Sequence, residues 1–333
     1  MSNSDPFETH GAPAPEVGID VAALYQRALT EVGKAVFGQE DAVGLCLAAL
    51  LSNGHVLIEG VPGTAKTTLV KTIAATMSMS FSRIQFTPDL MPNDITGSYV
   101  YRAQTGAFAF REGPIFANFV LADEINRAPA KSQSALLEAM QERTVTQEKE
   151  VHALPSPFMV FATQNPIEQE GTYPLPLAQL DRFMFKVIVG YPSPEAEERI
   201  FTEHHAATEK DYLETFNIQR VVTAETLVHA REIIRSTFVR PEVVRYVRQL
   251  VTATREDSNL FVGASPRAGL TLLMGAKAMA RFDGRDFVTP DDIKQAFLPG
   301  LRHRVVLSPA SELEGIDVDS ALRQILNAVE VPR

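Results

Sequence analysis

One segment constrains this 333-residue chain more than any other. The apolar run His55-Val56-Leu57-Ile58-Glu59 leads into Gly60-Val61-Pro62-Gly63-Thr64-Ala65-Lys66-Thr67, and a helical stretch follows through Met77. Strand, Gly/Pro-rich turn and helix in that order match the phosphate-loop pattern of Gly, four residues, Gly, Lys and Ser or Thr, except that Ala65 replaces the second glycine. A tight turn lets backbone N–H groups converge on phosphate oxygens, and the helix N-terminus adds a favourable dipole. Lys66 would neutralise the β- and γ-phosphates of a nucleotide such as ATP. The Thr67 hydroxyl would hold Mg²⁺. Thr68 extends this binding set into the first helical turn. Alanine at position 65 tolerates a helical backbone but disfavours the positive φ that glycine permits.

Further short apolar runs recur at Phe81–Gln85, Phe119–Ala122, Phe158–Ala162 and Lys186–Val189, alternating with helical stretches such as Lys131–Arg143. That alternation implies an α/β fold with a mostly parallel sheet covered on both faces. Phe119–Ala122 ends in Asp123-Glu124. In a parallel sheet this strand end opens on the same crevice as the phosphate loop. Asp123 would order the Mg²⁺ water shell, and Glu124 would polarise the water that attacks the γ-phosphate. Asn165, after another strand, offers an amide to both the γ-phosphate and that water. Thr144–Gln147 and Val151–Leu154 flank Glu148-Lys149-Glu150 as a hairpin would.

Outside this region the pattern differs. Met1–Gly18 is rich in Pro, Gly and Ser without periodicity, which predicts a disordered tail. It has no basic n-region or apolar h-region, so it does not read as a signal peptide. Asp20 is a candidate N-cap for a helix that Gly38 would end, and Asp41–Leu51 reads as a buried helix. Beyond Tyr191-Pro192-Ser193-Pro194 no strand pattern is evident. Helices are expected near 194–205, 224–237, 241–255, 266–281 and 290–297, several opened by Pro after Ser or Thr. The expected organisation is therefore a tail over 1–18, a phosphate-loop core over 19–190 and a smaller all-helical domain over 191–333. Cys46, the sole cysteine, lies in an apolar run and reads as a buried hydrophobe. Lys and Arg number 31 against 41 Asp and Glu, a net charge of −10, which disfavours broad nucleic-acid or membrane-surface binding. No apolar run is long enough to span a bilayer. The composition favours a cytoplasmic enzyme or binding protein.

With these motifs in hand, the chain resembles the MoxR family of AAA+ ATPases. The resemblance is carried by GVPGTAKT at Gly60–Thr67, LADEINRA at Leu121–Ala128, ATQNP at Ala162–Pro166, AQLDRF at Ala178–Phe183 and GASPRA at Gly263–Ala268. FTPDLMPNDITG at Phe86–Gly97 resembles that family's insertion, and the likeness spans roughly residues 21–305. It implies an AAA+ core followed by a helical lid. Val36 and Gly38, in Val36-Phe37-Gly38-Gln39, would border the adenine, and Asn165 would be sensor 1. Arg182 would be an arginine finger reaching a neighbour's γ-phosphate. Arg267 would be the sensor-2 arginine, acting on its own or the adjacent subunit's nucleotide. An arginine finger requires a homo-oligomer, and the family implies a hexameric ring. The expected function is ATP-driven, chaperone-like remodelling, activation or metal insertion in a protein client, of von Willebrand factor A (VWA) type. The alternatives are the ATPase subunit of a metal chelatase and a slow nucleotide-gated binding switch. The Phe86–Gly97 segment and the Glu148–Glu150 tip are candidate partner-contacting surfaces.

Overall fold

The computed structural model describes residues 19–166, 171–204 and 215–332. The tail expected over 1–18 lies outside the described residues. Helix α1 (Val21–Gly33) is capped by Asp20, whose carboxylate accepts the Ala23 N–H at 3.0 Å. It stops five residues before Gly38. Lys34–Gln39 instead form an irregular turn that buries Val36 and Phe37. Two large apolar side chains in that turn are worth more buried than helix continuation through the surface would be. Helix α2 (Glu40–Leu51) is almost wholly buried. Cys46 within it is fully enclosed, and burial pushes its thiol up to about 12.

Five strands form the central sheet: β1 (His55–Glu59), β2 (Phe81–Gln85), β5 (Phe119–Asp123), β8 (Met159–Gln164) and β9 (Phe183–Ile188). Their order is β2-β5-β8-β1-β9, and every pairing is parallel. β1 is covered on both faces, so Val56, Leu57 and Ile58 are wholly buried; each contributes about 2 kcal/mol of apolar burial. The register aligns the carboxyl ends: Glu59 lies opposite Gln164, and Gln85 opposite Asp123. Everything that follows β1, β5 and β8 thus emerges on one edge. Residues that precede β1 and β9 emerge on the other.

Helix α3 (Lys66–Ala75) follows the loop after β1, and α5 (Ala130–Glu142) follows β5. The segment resembling the family insertion continues beyond Gly97. Helix α4 (Pro92–Thr96) leads into the antiparallel hairpin β3 (Gly97–Arg102) and β4 (Ala107–Glu112). β6 (Thr144–Gln147) and β7 (Glu150–Ala153) form the expected second hairpin. The two hairpins pack together. Tyr99 donates its hydroxyl to Glu150 at 2.5 Å, and Phe110 stacks on His152 at 3.9 Å.

After β9 the chain is mainly helical: Pro194–His204, Ala224–Arg235, Pro241–Glu256, Pro266–Phe282, Pro290–Leu301 and Val318–Ala328. It is not purely so. β10 (Leu260–Val262) and β11 (Val306–Leu307) pair antiparallel within the lid. Strands of three and two residues are too short to leave a period in sequence. The lid shares one apolar core with α1, α2, β1 and β9, and Tyr25 stacks on Phe282 at 3.9 Å. Among the described residues no helix is long and apolar enough to cross a membrane.

Two buried histidines tie this architecture to pH. His55 receives the Val160 N–H on Nδ1 and donates Nε2–H to Met140 O. Burial, with Arg143 nearby, holds its pKa down at about 3. Burial also pushes His303 well below its ordinary value, with Arg304 adding to the effect. Both rings stay neutral in the folded chain and take up a proton in the unfolded chain below about pH 6.5. Stability is therefore full above that pH and falls as the medium acidifies, by up to about 1.4 kcal/mol per pH unit for each ring. Urea unfolding across that range measures the slope, and His55→Gln is expected to flatten it. An unaltered slope would exclude His55 as the proton acceptor.

Candidate active site

The loop after β1 closes tightly. A Cβ on Gly60 would stand 2.3 Å from Val189 O, so only glycine fits there, and Gly63 holds φ +82°. Pro62 is exposed at the loop apex, while Thr64 is buried and donates its hydroxyl to Val61 O at 2.9 Å. Ala65 does adopt the conformation its side chain disfavours, with φ 60° and ψ 24°. That left-handed geometry costs a non-glycine residue about 1–2 kcal/mol, held by the surrounding loop. Lys66 Nζ lies over the loop's own carbonyls, donating to Gly60 O at 2.5 Å and Val61 O at 2.8 Å.

β5 brings the acids to this loop. Asp123 is buried, and its Oδ2 accepts the Thr67 hydroxyl at 3.3 Å while Oδ1 accepts the Thr163 hydroxyl at 2.6 Å. Thr67 and Asp123 offer hard oxygen donors side by side at a helix start, a donor set that fits Mg²⁺ with its remaining waters. Glu124 follows in a left-handed conformation (φ 57°), which turns its side chain away from the strand. Its Oε2 accepts from Gln85 Nε2 at 2.8 Å and from Arg127 at 3.1 Å. Asn165 is buried just beyond β8, the strand between β5 and β1. Gly60 N–H donates to Gln164 O beside it, stitching loop to strand.

Val36, Gly63, Thr64, Ala65 and Thr68 line a cavity of about 110 Å³ with Phe37, Pro192 and Ile200. It is mainly apolar, as a nucleobase pocket is. Gly38 packs beside it, where a Cβ would press to 2.7 Å from Ala196. Arg199 lies 4.2 Å over the Phe37 ring and braces this wall.

Arg182 and Arg267 are elsewhere. Both line a second cavity of about 370 Å³ with Asn53, His55, Arg143 and Arg304. Arg182 precedes β9 and His55 begins β1, so this cavity opens at the amino ends of the strands. The five residues of β1 put roughly 16 Å between that edge and the phosphate loop. The neighbouring Asp181 pairs with Arg304, at 2.6 Å, not with Arg182. Among the described residues neither Arg182 nor Arg267 forms an ion pair. Arg267 sits in the first turn of Pro266–Phe282, whose N-cap is Ser265; a cation there is electrostatically misplaced unless an anion joins it.

Sequence reasoning missed Arg83 and Gln85. Arg83, on β2, grips Asp123 Oδ2 through Nη2 at 2.6 Å and Nε at 3.1 Å, and Gln85 restrains Glu124. On a half-exposed edge strand they look like solvent-facing polar residues. The signal available was their register: alternate positions on the strand that pairs with the one bearing the acids.

Comparison with known proteins agrees with this architecture. The family described as ATPase family associated with various cellular activities (AAA) matches residues 55–185, and the AAA lid domain matches residues 252–325. Chaperone MoxR1 of Mycobacterium tuberculosis is 45% identical, over 97% of this chain and 87% of its own. A crystal structure from Cytophaga hutchinsonii that carries an ATPase assignment superposes with a TM-score of 0.86 at 41% identity, covering 94% of this chain and 96% of that one. A magnesium-chelatase subunit homologue from Methanocaldococcus jannaschii is more distant, 28% identical over 58% of the chain. The phosphate loop, the parallel sheet, the helical lid and these similarities converge: the chain belongs to the MoxR family of AAA+ ATPases and is an ATP hydrolase.

Proposed function

We propose that this ATPase works as a chaperone-type remodeller in the cytoplasm, with each active site built from two subunits of a hexameric ring. The observation that carries the reading is the separation of Lys66, Asp123 and Glu124 at one edge of the sheet from Arg182 and Arg267 at the other. A single copy cannot bring both sets onto one triphosphate. A ring supplies one edge to the next.

In this reading Gly63, Thr64 and Ala65 wrap the phosphates with backbone N–H groups, Gly60 and Pro62 shape the turn that presents them, and Val36, Gly38 and Thr68 border the base and sugar. Lys66 turns from its loop carbonyls to the β- and γ-phosphates. Thr67 and Asp123 hold Mg²⁺, which when bound neutralises phosphate charge; Asp123 exchanges part of its contact with Arg83 to do so. Glu124 takes a proton from the attacking water, with Asn165 orienting that water against the γ-phosphate. Arg182 and Arg267 of the adjacent subunit stabilise the charge that develops on the transferred group. Trans action by Arg267 is favoured over cis action by its distance from its own loop.

Hydrolysis would be coupled to remodelling, activation or metal insertion in a protein client, with a VWA-domain protein as the first candidate. The two packed hairpins, which expose Tyr101 and Phe108 on β3–β4 and Val151 on β7, are the candidate client surface. A second reading, a slow nucleotide-gated switch, is favoured by the restraint of Glu124 by Gln85 and Arg127. A chelatase subunit would instead show turnover stimulated by porphyrin and partner subunits.

Lys66→Ala is expected to abolish ATP binding. Glu124→Gln is expected to retain binding and lose turnover; a Glu124→Gln protein that hydrolyses normally would remove Glu124 from the role of base. Pull-down with ATP-loaded Glu124→Gln protein tests the client, and capture of no partner would count against remodelling. Gln85→Ala frees Glu124 from a solvent-exposed hydrogen bond worth about 0.5–1.5 kcal/mol. Client-free turnover should rise several-fold, by up to about tenfold. Steady-state ATPase assays measure it, and unchanged turnover would show that Gln85 is no restraint.

A further inference from the structure

We propose that Arg143 is a third arginine facing the neighbouring subunit's ATP phosphates and that it relays their presence to the β6–β7 hairpin. This rests on the reading of Arg182 and Arg267 as residues acting between subunits.

Arg143 lines the same 370 Å³ cavity as Arg182, Arg267 and Arg304. The carboxylate in that lining, Asp181, is committed to Arg304. Three guanidiniums therefore converge with no acid among the described residues to neutralise them. Arg231 adds to the field. It is largely buried, donates to Leu50 O at 2.9 Å, and is held down at about 10 by burial and then by Arg143. Burial likewise lowers the pKa of Arg143. Arg143 and Arg182 are half-buried and Arg267 is exposed, and like charges gathered round an open cavity draw an anion towards it. A polyphosphate held on the loop of a second copy is an anion of the right charge, brought to the right edge of the sheet.

A purely architectural role explains less. Arg143 caps α5 with φ 59° and ψ 19°, donates to Phe158 O, and lies 5.5 Å over the Phe158 ring. Glycine would end that helix without the left-handed cost of about 1–2 kcal/mol. Glutamine would satisfy the Phe158 carbonyl without the buried charge. What both would lack is a cation in the cavity.

The backbone of Arg143 supplies the relay. It joins α5 to β6, and its carbonyl accepts the Leu154 N–H at 3.0 Å, closing the hairpin base. At the other end of the hairpin, Gln147 donates to Thr96 at 2.6 Å and Glu150 binds Tyr99. A pull on the Arg143 guanidinium thus acts on both packed hairpins.

The test uses mixed oligomers of the full chain. Arg143→Gln alone should lose about tenfold or more in turnover. Mixed with Glu124→Gln, it should regain activity, because the Glu124→Gln subunit lends its intact Arg143 to a neighbour with an intact Glu124. Arg182→Ala mixed with Glu124→Gln is the parallel control. Rescue of Arg182→Ala without rescue of Arg143→Gln overturns this proposal and leaves the two-subunit site standing. Rescue of neither overturns the two-subunit site, and this proposal with it. A readout independent of turnover is tryptic cleavage after the exposed Lys149 at the hairpin tip. In Glu124→Gln oligomers ATP should change its rate, and adding Arg143→Gln should remove that dependence. Persistence of the dependence overturns the relay. Arg143→Gly, which removes side chain and backbone strain together, replaces the glutamine variant should the latter not fold. Failure of both to fold assigns Arg143 to the architecture and overturns the proposal.

Discussion

Strand β1 is five residues long, paired in parallel on both sides, and buried from His55 to Ile58. Its carboxyl end enters the phosphate loop and its amino end borders the arginine cavity. The β8–β1–β9 pairing runs in step from Val56 to Glu59, with a register shift at His55, so the two ends are held apart by an element that cannot fold back on itself. A parallel sheet gathers every outgoing turn on one edge. The acids after β5 and the amide after β8 join the loop for that reason. The same directionality expels the residues that precede β1 and β9 to the far edge. The candidate site residues are thus divided by the polarity of the sheet, and on the proposed reading association between copies reunites them.

The backbone stores strain where these two edges do their work. Six non-glycine residues among those described adopt positive φ: Asn53, Ala65, Glu124, Arg143, Glu148 and Asn217. Ala65 lies in the phosphate loop and Glu124 is the carboxylate after β5. Asn53 and Arg143 line the arginine cavity, and Glu148 forms the tip of β6–β7. Only Asn217 falls outside these places. Side chains that disfavour left-handed backbone persist in it only where the surroundings over-determine them. At Glu124 the consequence is visible: the twist presents its carboxylate to Gln85 and Arg127, so the group is held ready but turned aside.

Much of this was legible in the residues. The strand-loop-helix sequence from His55 to Met77 and the acids closing Phe119–Asp123 are local patterns with a mechanism, and they sit where the parallel sheet requires. The hairpin β3–β4 was not legible, because both of its faces are substantially exposed and its apolar residues do not alternate with polar ones against a core. Arg83, Gln85 and Arg143 were missed for a related reason. Each is a polar residue whose meaning comes from a partner distant in sequence, Asp123, Glu124 or the Arg182–Arg267 pair, and no spacing along the chain encodes it. The helix assigned up to Gly38 ended early because burial of Val36 and Phe37 outweighed helical continuation. Residue-level periodicity records amphipathic faces, not the point at which a turn becomes the wall of a pocket.

The lid links the two edges within one subunit. Pro192 and Ile200, on the way into the lid, line the pocket beside the phosphate loop. Arg267 and Leu270, in the lid helix Pro266–Phe282, line the arginine cavity at the opposite edge. The lid is fastened to the core near that second edge, through Arg231 on the Leu50 carbonyl and Ser52 on the Met274 carbonyl at 3.4 Å. On the proposed reading, a nucleotide that seats against Pro192 and Ile200 bears on one end of a body whose other end carries Arg267 towards the next subunit. Occupancy of one site then biases the geometry offered to its neighbour. In a closed ring that bias propagates in one direction, because each subunit receives at its carboxyl edge and delivers at its amino edge.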